Sequence, residues 1–124
     1  MAQLALSLGA LGGLLAVALG AFGSHALRDR LDDYALRIFE TAVQYQFFHS
    51  LALLAVGILL LRAPDLTLLR ASTWLFAIGI VLFSGSLYAL SLSGVRMLGA
   101  ITPLGGLAFV AGWACLATAS WKIV

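Results

Sequence analysis

Charged positions fall in a few tight groups along this chain, and long apolar runs separate them. Arg28, Asp29, Arg30, Asp32, Asp33, Arg37 and Glu40 form one group; Arg62, Asp65 and Arg70 form a second; Arg96 and Lys122 stand alone. Between them run four charge-free stretches, Met1–Leu27, Thr41–Leu61, Ala71–Val95 and Met97–Trp121. A membrane-spanning helix needs about 20 apolar residues, because a rise of about 1.5 Å per residue must cross about 30 Å of hydrocarbon. The pattern predicts an all-α integral membrane protein. It is a four-helix bundle forming a single transmembrane domain over residues 1–124, with spans at about 3–23, 41–61, 71–90 and 99–121.

The first charged group has a pattern of its own. Leu27, Leu31, Tyr34, Ala35 and Ile38 follow the spacing of one helical face, while Arg30, Asp33, Arg37 and Glu40 lie largely off it. An amphipathic segment over about 27–40 is expected, with Asp32 as an N-cap. It would lie in the headgroup plane or run straight into the second span as its wetted first turns; an interfacial helix leading into span two is the favoured form. Pro64 and Asp65 mark a short turn between spans two and three. Span four begins either near Met97, with a kink at Pro103, or at Thr102 as N-cap with Pro103 as first helical residue. The second form still gives a helix about 28 Å long and is slightly preferred.

Small residues recur on the spans. Gly12, Ala16, Gly20 and Ser24 form one row on the first, and Gly9 with Gly13 a second; Gly85, Gly105, Gly106 and Gly112 fall on the last two. In lipid, small residues four apart let helix backbones approach closely. These glycines are expected to pack helices within the bundle, or to form a face for self-association.

Composition agrees with the pattern: 63% of residues are hydrophobic, 10% are charged, and the mean hydropathy is +1.09. Soluble domains carry about a quarter charged residues. The first stretch lacks the basic start of a cleaved signal and exceeds its usual apolar length, so it is read as a span. Net charge is only +2, which suggests no nucleic-acid surface. Arg62, Arg70 and Lys122 fall on the side of the termini, against Arg28, Arg30, Arg37 and Arg96 on the other, so basic residues leave the orientation open.

Candidate chemistry collects on one side. Glu40, Gln44, Tyr45, Gln46 and His49 open the second span; His25 ends the first; Ser84, Ser86, Tyr88 and Thr102 lie where the third ends and the fourth begins. Span parity puts all ten in one leaflet. Polar side chains in a span face the bundle interior, a cavity or the interface. Such a cluster either binds a lipid, a quinone or a small polar solute, with His49 able to change charge, or supplies interhelical hydrogen bonds. Two His and the distant Cys115 do not make a metal site, no cofactor is implied, and no catalytic triad or phosphate-binding loop is present.

Four of these stretches carry a resemblance: Phe22-Gly23-Ser24-His25-Ala26-Leu27; Phe39-Glu40-Thr41-Ala42-Val43-Gln44-Tyr45-Gln46 with His49; Leu82-Phe83-Ser84-Gly85-Ser86-Leu87-Tyr88; and Ile101-Thr102-Pro103-Leu104-Gly105-Gly106 with Gly112-Trp113. In this order they resemble the small YgdD-like membrane proteins of bacterial inner membranes, which have relatives in animal mitochondria. Ser24 and Ser50 stand where that family is expected to have Ala. The resemblance implies four spans and an inner-membrane location, and it brings no reaction, cofactor or catalytic residue. The expectation is a small multi-pass protein without catalytic machinery, more an accessory or self-associating component than an enzyme. Its surroundings would be the lipid bilayer and either its own copies or a larger membrane complex. Ligand handling at the one-leaflet cluster is the alternative.

Overall fold

The computed structural model describes residues 1–124, and four long helices account for nearly all of them. They are α1 (Ala2–Leu27), α2 (Asp33–Arg62), α3 (Thr67–Ser93) and α4 (Thr102–Ile123), the last preceded by a 3₁₀ turn over Arg96–Ala100. All four are long and apolar enough to cross a membrane, and there are no strands.

The segment before span two is not an element of its own. Asp32 adopts an extended backbone and its carboxylate accepts from the Ala35 amide at 2.7 Å, so the helix starts there. No Pro lies between Asp33 and Arg62, and one unbroken 30-residue helix results. The separate interfacial helix expected over 27–40 is therefore replaced by a short turn after Leu27 and the first two turns of α2.

Two spans contain π-helical turns, at Gly23–Leu27 closing α1 and at Ile80–Ser84 inside α3. A π turn adds a residue to one turn of helix and rotates everything beyond it. Gly94 ends α3 in the left-handed region (φ 71°), where glycine carries no steric cost. Span four starts between the two expected places. Its α-helix begins at Thr102 with Pro103 in the first turn and no kink, but Thr102 is not the cap; Ile101 takes that position without a side-chain bond.

The helices associate as two hairpins. In α1–α2 the backbones approach at glycines: an added β-carbon would lie 2.8 Å from the Ser50 carbonyl oxygen at Gly9, and 2.7 Å from the Leu6 side chain at Gly57. In α3–α4 the same role falls to Gly105 against the Phe83 backbone, Gly79 against the Phe109 ring and Gly112 against the Phe76 ring. Helix α2 lies between the hairpins and joins them, whereas α1 has no comparable interface with any helix but α2. Leu53, Val56 and Leu60 of α2 meet Leu69 and Phe76 of α3 and Phe109 and Ala119 of α4 in an apolar core. Most of this core lies in the leaflet nearer the termini, and that leaves the other leaflet for polar contacts.

Candidate functional site

The polar residues near the charged rim are mostly ties between helices. On α2, Gln46 and His49 point to different neighbours. Three residues apart on a helix is about 300°, so the two share a face edge without sharing a partner. The Gln46 amide donates from Nε2 to the Gly12 carbonyl of α1 at 2.9 Å, and its Oε1 accepts from the Tyr88 hydroxyl of α3 at 2.7 Å. One side chain thereby links three helices. Because Nε2 faces a carbonyl and Oε1 a hydroxyl, the orientation of the amide is fixed by its partners.

His49 is held on the other side by α4. Its Nδ1 lies 2.7 Å from its own helix's Tyr45 carbonyl, and its Nε2 accepts from the Trp113 indole at 3.1 Å. Nδ1 therefore carries the proton and Nε2 the lone pair, which makes the ring the neutral tautomer. The imidazole stacks on Phe109 at 3.5 Å between centroids and 7° between planes. Tyr45 stacks on Phe83 at 4.5 Å. With Phe76 edge-on to Trp113 at 5.2 Å, six rings from α2, α3 and α4 form one aromatic wall.

Hydroxyls complete the layer. Ser84 donates to the Ala42 carbonyl of α2 at 2.7 Å, and Ser86 and Thr102 share a hydrogen bond of 2.6 Å between α3 and α4. That bond explains why Thr102 does not cap its helix: its hydroxyl is turned to Ser86 instead. Ser72 donates to the Gly112 carbonyl at 2.9 Å nearer mid-membrane. No buried side-chain nitrogen or oxygen is left without a partner, as the high cost of an unpaired polar group in hydrocarbon requires.

Of the ten residues picked from the sequence, Tyr45, Gln46, His49, Ser84, Ser86, Tyr88 and Thr102 enter this layer. His25, Glu40 and Gln44 do not; all three are exposed, and none makes a side-chain hydrogen bond. No hydrogen bond joins His25 to Glu40 or Gln44; Gln44 lies about 200° around α2 from Gln46, which faces α1, and so sits on the opposite face. Sequence reasoning missed Trp113, Phe109, Ser50 and Ser72. Trp113 stood in the Gly112-Trp113 stretch of the resemblance and lies near the middle of α4, away from the interfaces where Trp is favoured, but neither signal pointed to His49.

The glycines divide in the same way. Gly9, Gly12, Gly20, Gly105 and Gly112 each face a close neighbour, and Gly106 is in ordinary contact with Phe83 at 3.9 Å. Gly13 and Gly85 meet nothing within 4 Å, so neither packs helices within this chain. Gly23, Gly57 and Gly79 do pack, although they lie outside the rows seen in the sequence.

Two grooves flank the layer. One, of about 670 Å³, lies between α2 and α4 beside Tyr45, His49, Phe109 and Trp113. The other, of about 580 Å³, lies between α1 and α3 over Gln46 and Tyr88. No group of His, Cys, Asp and Glu is placed to hold a metal ion.

The model of a family described as a protein of unknown function (DUF423) matches residues 19–106. The UPF0382 membrane protein YwdK of Bacillus subtilis is 46% identical over 115 residues, covering 93% of this chain and 94% of its own. A UPF0382 membrane protein of Haemophilus influenzae is 47% identical over 117 residues, covering 94% and 93%. The inner membrane protein YgdD of Escherichia coli is 42% identical over 107 residues, covering 86% and 81%. No solved structure matches. With four apolar helices and relatives along nearly its whole length, the chain is a multi-pass protein of the bacterial inner membrane and belongs to the DUF423 (UPF0382) family.

Proposed function

We propose that this protein is a non-enzymatic membrane component that acts by lateral association, with its own copies or within a larger membrane complex. The observation that carries this reading is Gly13. A glycine inside a helix costs about 1 kcal/mol relative to alanine, and within this chain nothing packs against Gly13 to offset that cost. It lies near the exposed Ala10 and Val17 on α1, the helix held by one neighbour alone. A facing helix backbone would make use of such a position. The reactive types in the polar layer are meanwhile engaged in holding helices: His49 has both ring nitrogens bonded. Native mass spectrometry of the protein extracted from its own membranes in mild detergent tests the proposal. A defined assembly that Gly13→Leu dissolves is expected; a bare monomer of the unaltered chain, with no co-purifying protein, refutes it.

A second reading is favoured by one group. The Tyr45 hydroxyl makes no hydrogen bond within the protein, although it borders the aromatic groove between α2 and α4. A flat ring with a carbonyl, such as a quinone, would stack on that wall and accept from the phenol. Solvent extracts of the purified protein should then lose a bound small molecule on Tyr45→Phe. Identical extracts from both forms count against this reading.

A further inference from the structure

We infer that the groove between α1 and α3 is a binding site for one acyl chain of an ester-linked glycerophospholipid, with Gln46 donating to the ester carbonyl. The inference rests on geometry separate from that of the lateral-association proposal, since it concerns the face of α1 toward α3 rather than the row around Gly13.

The groove exists because α1 and α3 both pack on α2 without closing on each other. Its walls are Leu11, Leu15 and Leu19 of α1 and Ile80 and Val81 of α3, and its floor is Gln46 of α2. The π turn at Ile80–Ser84 carries part of the α3 wall, and Gly85 just after it supplies no side chain, so the space stays open there. In a bilayer such an apolar slot is not filled by water; a lipid chain or a protein segment must lie in it.

Gln46 decides between these. It is 5% exposed, and its amide carries two N–H groups and one carbonyl. The carbonyl accepts from Tyr88, and one N–H donates to the Gly12 carbonyl. The second N–H has no acceptor in the protein. A helical carbonyl can accept a second bond, as that of Gly12 does here, but it already accepts within its own ladder; an ester carbonyl carries no such bond and is the stronger match.

Depth agrees. The charge-free part of α2 begins at Thr41, so Gln46 starts about 7 Å below the hydrocarbon boundary by helix rise. Bonded to the Gly12 carbonyl, the amide stays near that depth, within about one and a half helical turns of the boundary where ester carbonyls lie, so the ester is drawn down to meet it. Below it the groove continues to Leu53 and Leu8, about 10 Å further by helix rise along α2, which takes up most of one leaflet.

The test uses the full chain reconstituted in vesicles of diacyl phosphatidylglycerol, or of the diether analogue with the same chains and headgroup, followed by native mass spectrometry of retained lipid. The unaltered chain should hold one diacyl lipid and bind the diether form about five-fold more weakly, the worth of one hydrogen bond. Gly85→Leu should abolish retention with helicity unchanged, because its side chain enters open space. Equal retention of diacyl and diether lipid overturns the inference, as does retention unaffected by Gly85→Leu. A lipid-free dimer that Gly85→Leu disperses also overturns it, since a second copy would then be the occupant.

Discussion

The approach of α3 and α4 at Gly105 can be perturbed by a single methyl group. A β-carbon built there falls on the Phe83 backbone nitrogen, 2.7 Å from the Phe83 β-carbon and 2.8 Å from its α-carbon. Ordinary carbon–carbon contact is about 3.5–4.0 Å, so Gly105→Ala requires a separation of about 1 Å between two backbones. Flexible side chains cannot absorb it, because the atoms met are main chain. The shift would also stretch the Ser86–Thr102 bond of 2.6 Å and the Ser72–Gly112 bond of 2.9 Å, both between the same helices. Overpacking costs about 1–3 kcal/mol, and two weakened interhelical bonds add about 1 kcal/mol or more. Alanine returns up to about 1 kcal/mol of helix propensity, leaving a net loss of about 1–3 kcal/mol. Gly85→Ala is the matched control: the same chemical change on the neighbouring helix, into open space, should raise stability by up to about 1 kcal/mol. Reversible unfolding of both variants in mixed micelles, followed by helix content and Trp fluorescence, reads the difference. Equal stabilities for the two would refute the close α3–α4 contact as described.

Three further outcomes are expected. Trp113→Phe removes the donor to His49 Nε2 and leaves a buried acceptor unpaired, so the same unfolding assay should register a loss of about 1–3 kcal/mol. Ser84→Ala should cost less, about 0.6–2 kcal/mol, because the Ala42 carbonyl it served keeps its place in the ladder of α2; a loss larger than that of Trp113→Phe would contradict this ranking. Asp32→Ala removes the N-cap, worth about 1 kcal/mol, and hydrogen exchange at the Ala35 amide should quicken about five-fold while exchange deeper in α2 is unchanged.

The four apolar stretches were legible because charges in a span are expensive enough to be confined to its ends. The start of α2 was legible for a similar local reason, since Asp32 announces a cap by itself. What the sequence could not convey was rotation about the helix axes. Span parity placed Glu40, Gln44, Gln46, Ser84 and Tyr88 in one leaflet, but the azimuth of each helix decides which of them meet. Gln44 and Gln46 illustrate this: two positions apart, they end on opposite faces, and only one joins the layer. The π turn at Ile80–Ser84 added a rotation within α3 that no residue type signals. Thr102 looked like a cap because Thr commonly is one, and only the arrival of Ser86 from another helix gave its hydroxyl a different partner. Gly13 and Gly85 were indistinguishable by spacing from glycines that do pack, because a small-residue row shows where a close neighbour fits and not whether one is there.

The two hairpins are held by different means. Within each, backbones touch at glycines; between them, the second pair donates to α2, Tyr88 to the Gln46 amide oxygen, Ser84 to the Ala42 carbonyl and Trp113 to the His49 ring. The α1–α2 pair thus matches backbone to backbone, and on α2 it presents three acceptors to the second pair: the Gln46 Oε1, the Ala42 carbonyl and the His49 Nε2. The latter half of the chain supplies the matching donors, Tyr88, Ser84 and Trp113. Pro64 and Asp65 mark the seam between an acceptor half and a donor half, and α2 is the helix whose loss would leave the donors of the second half without partners.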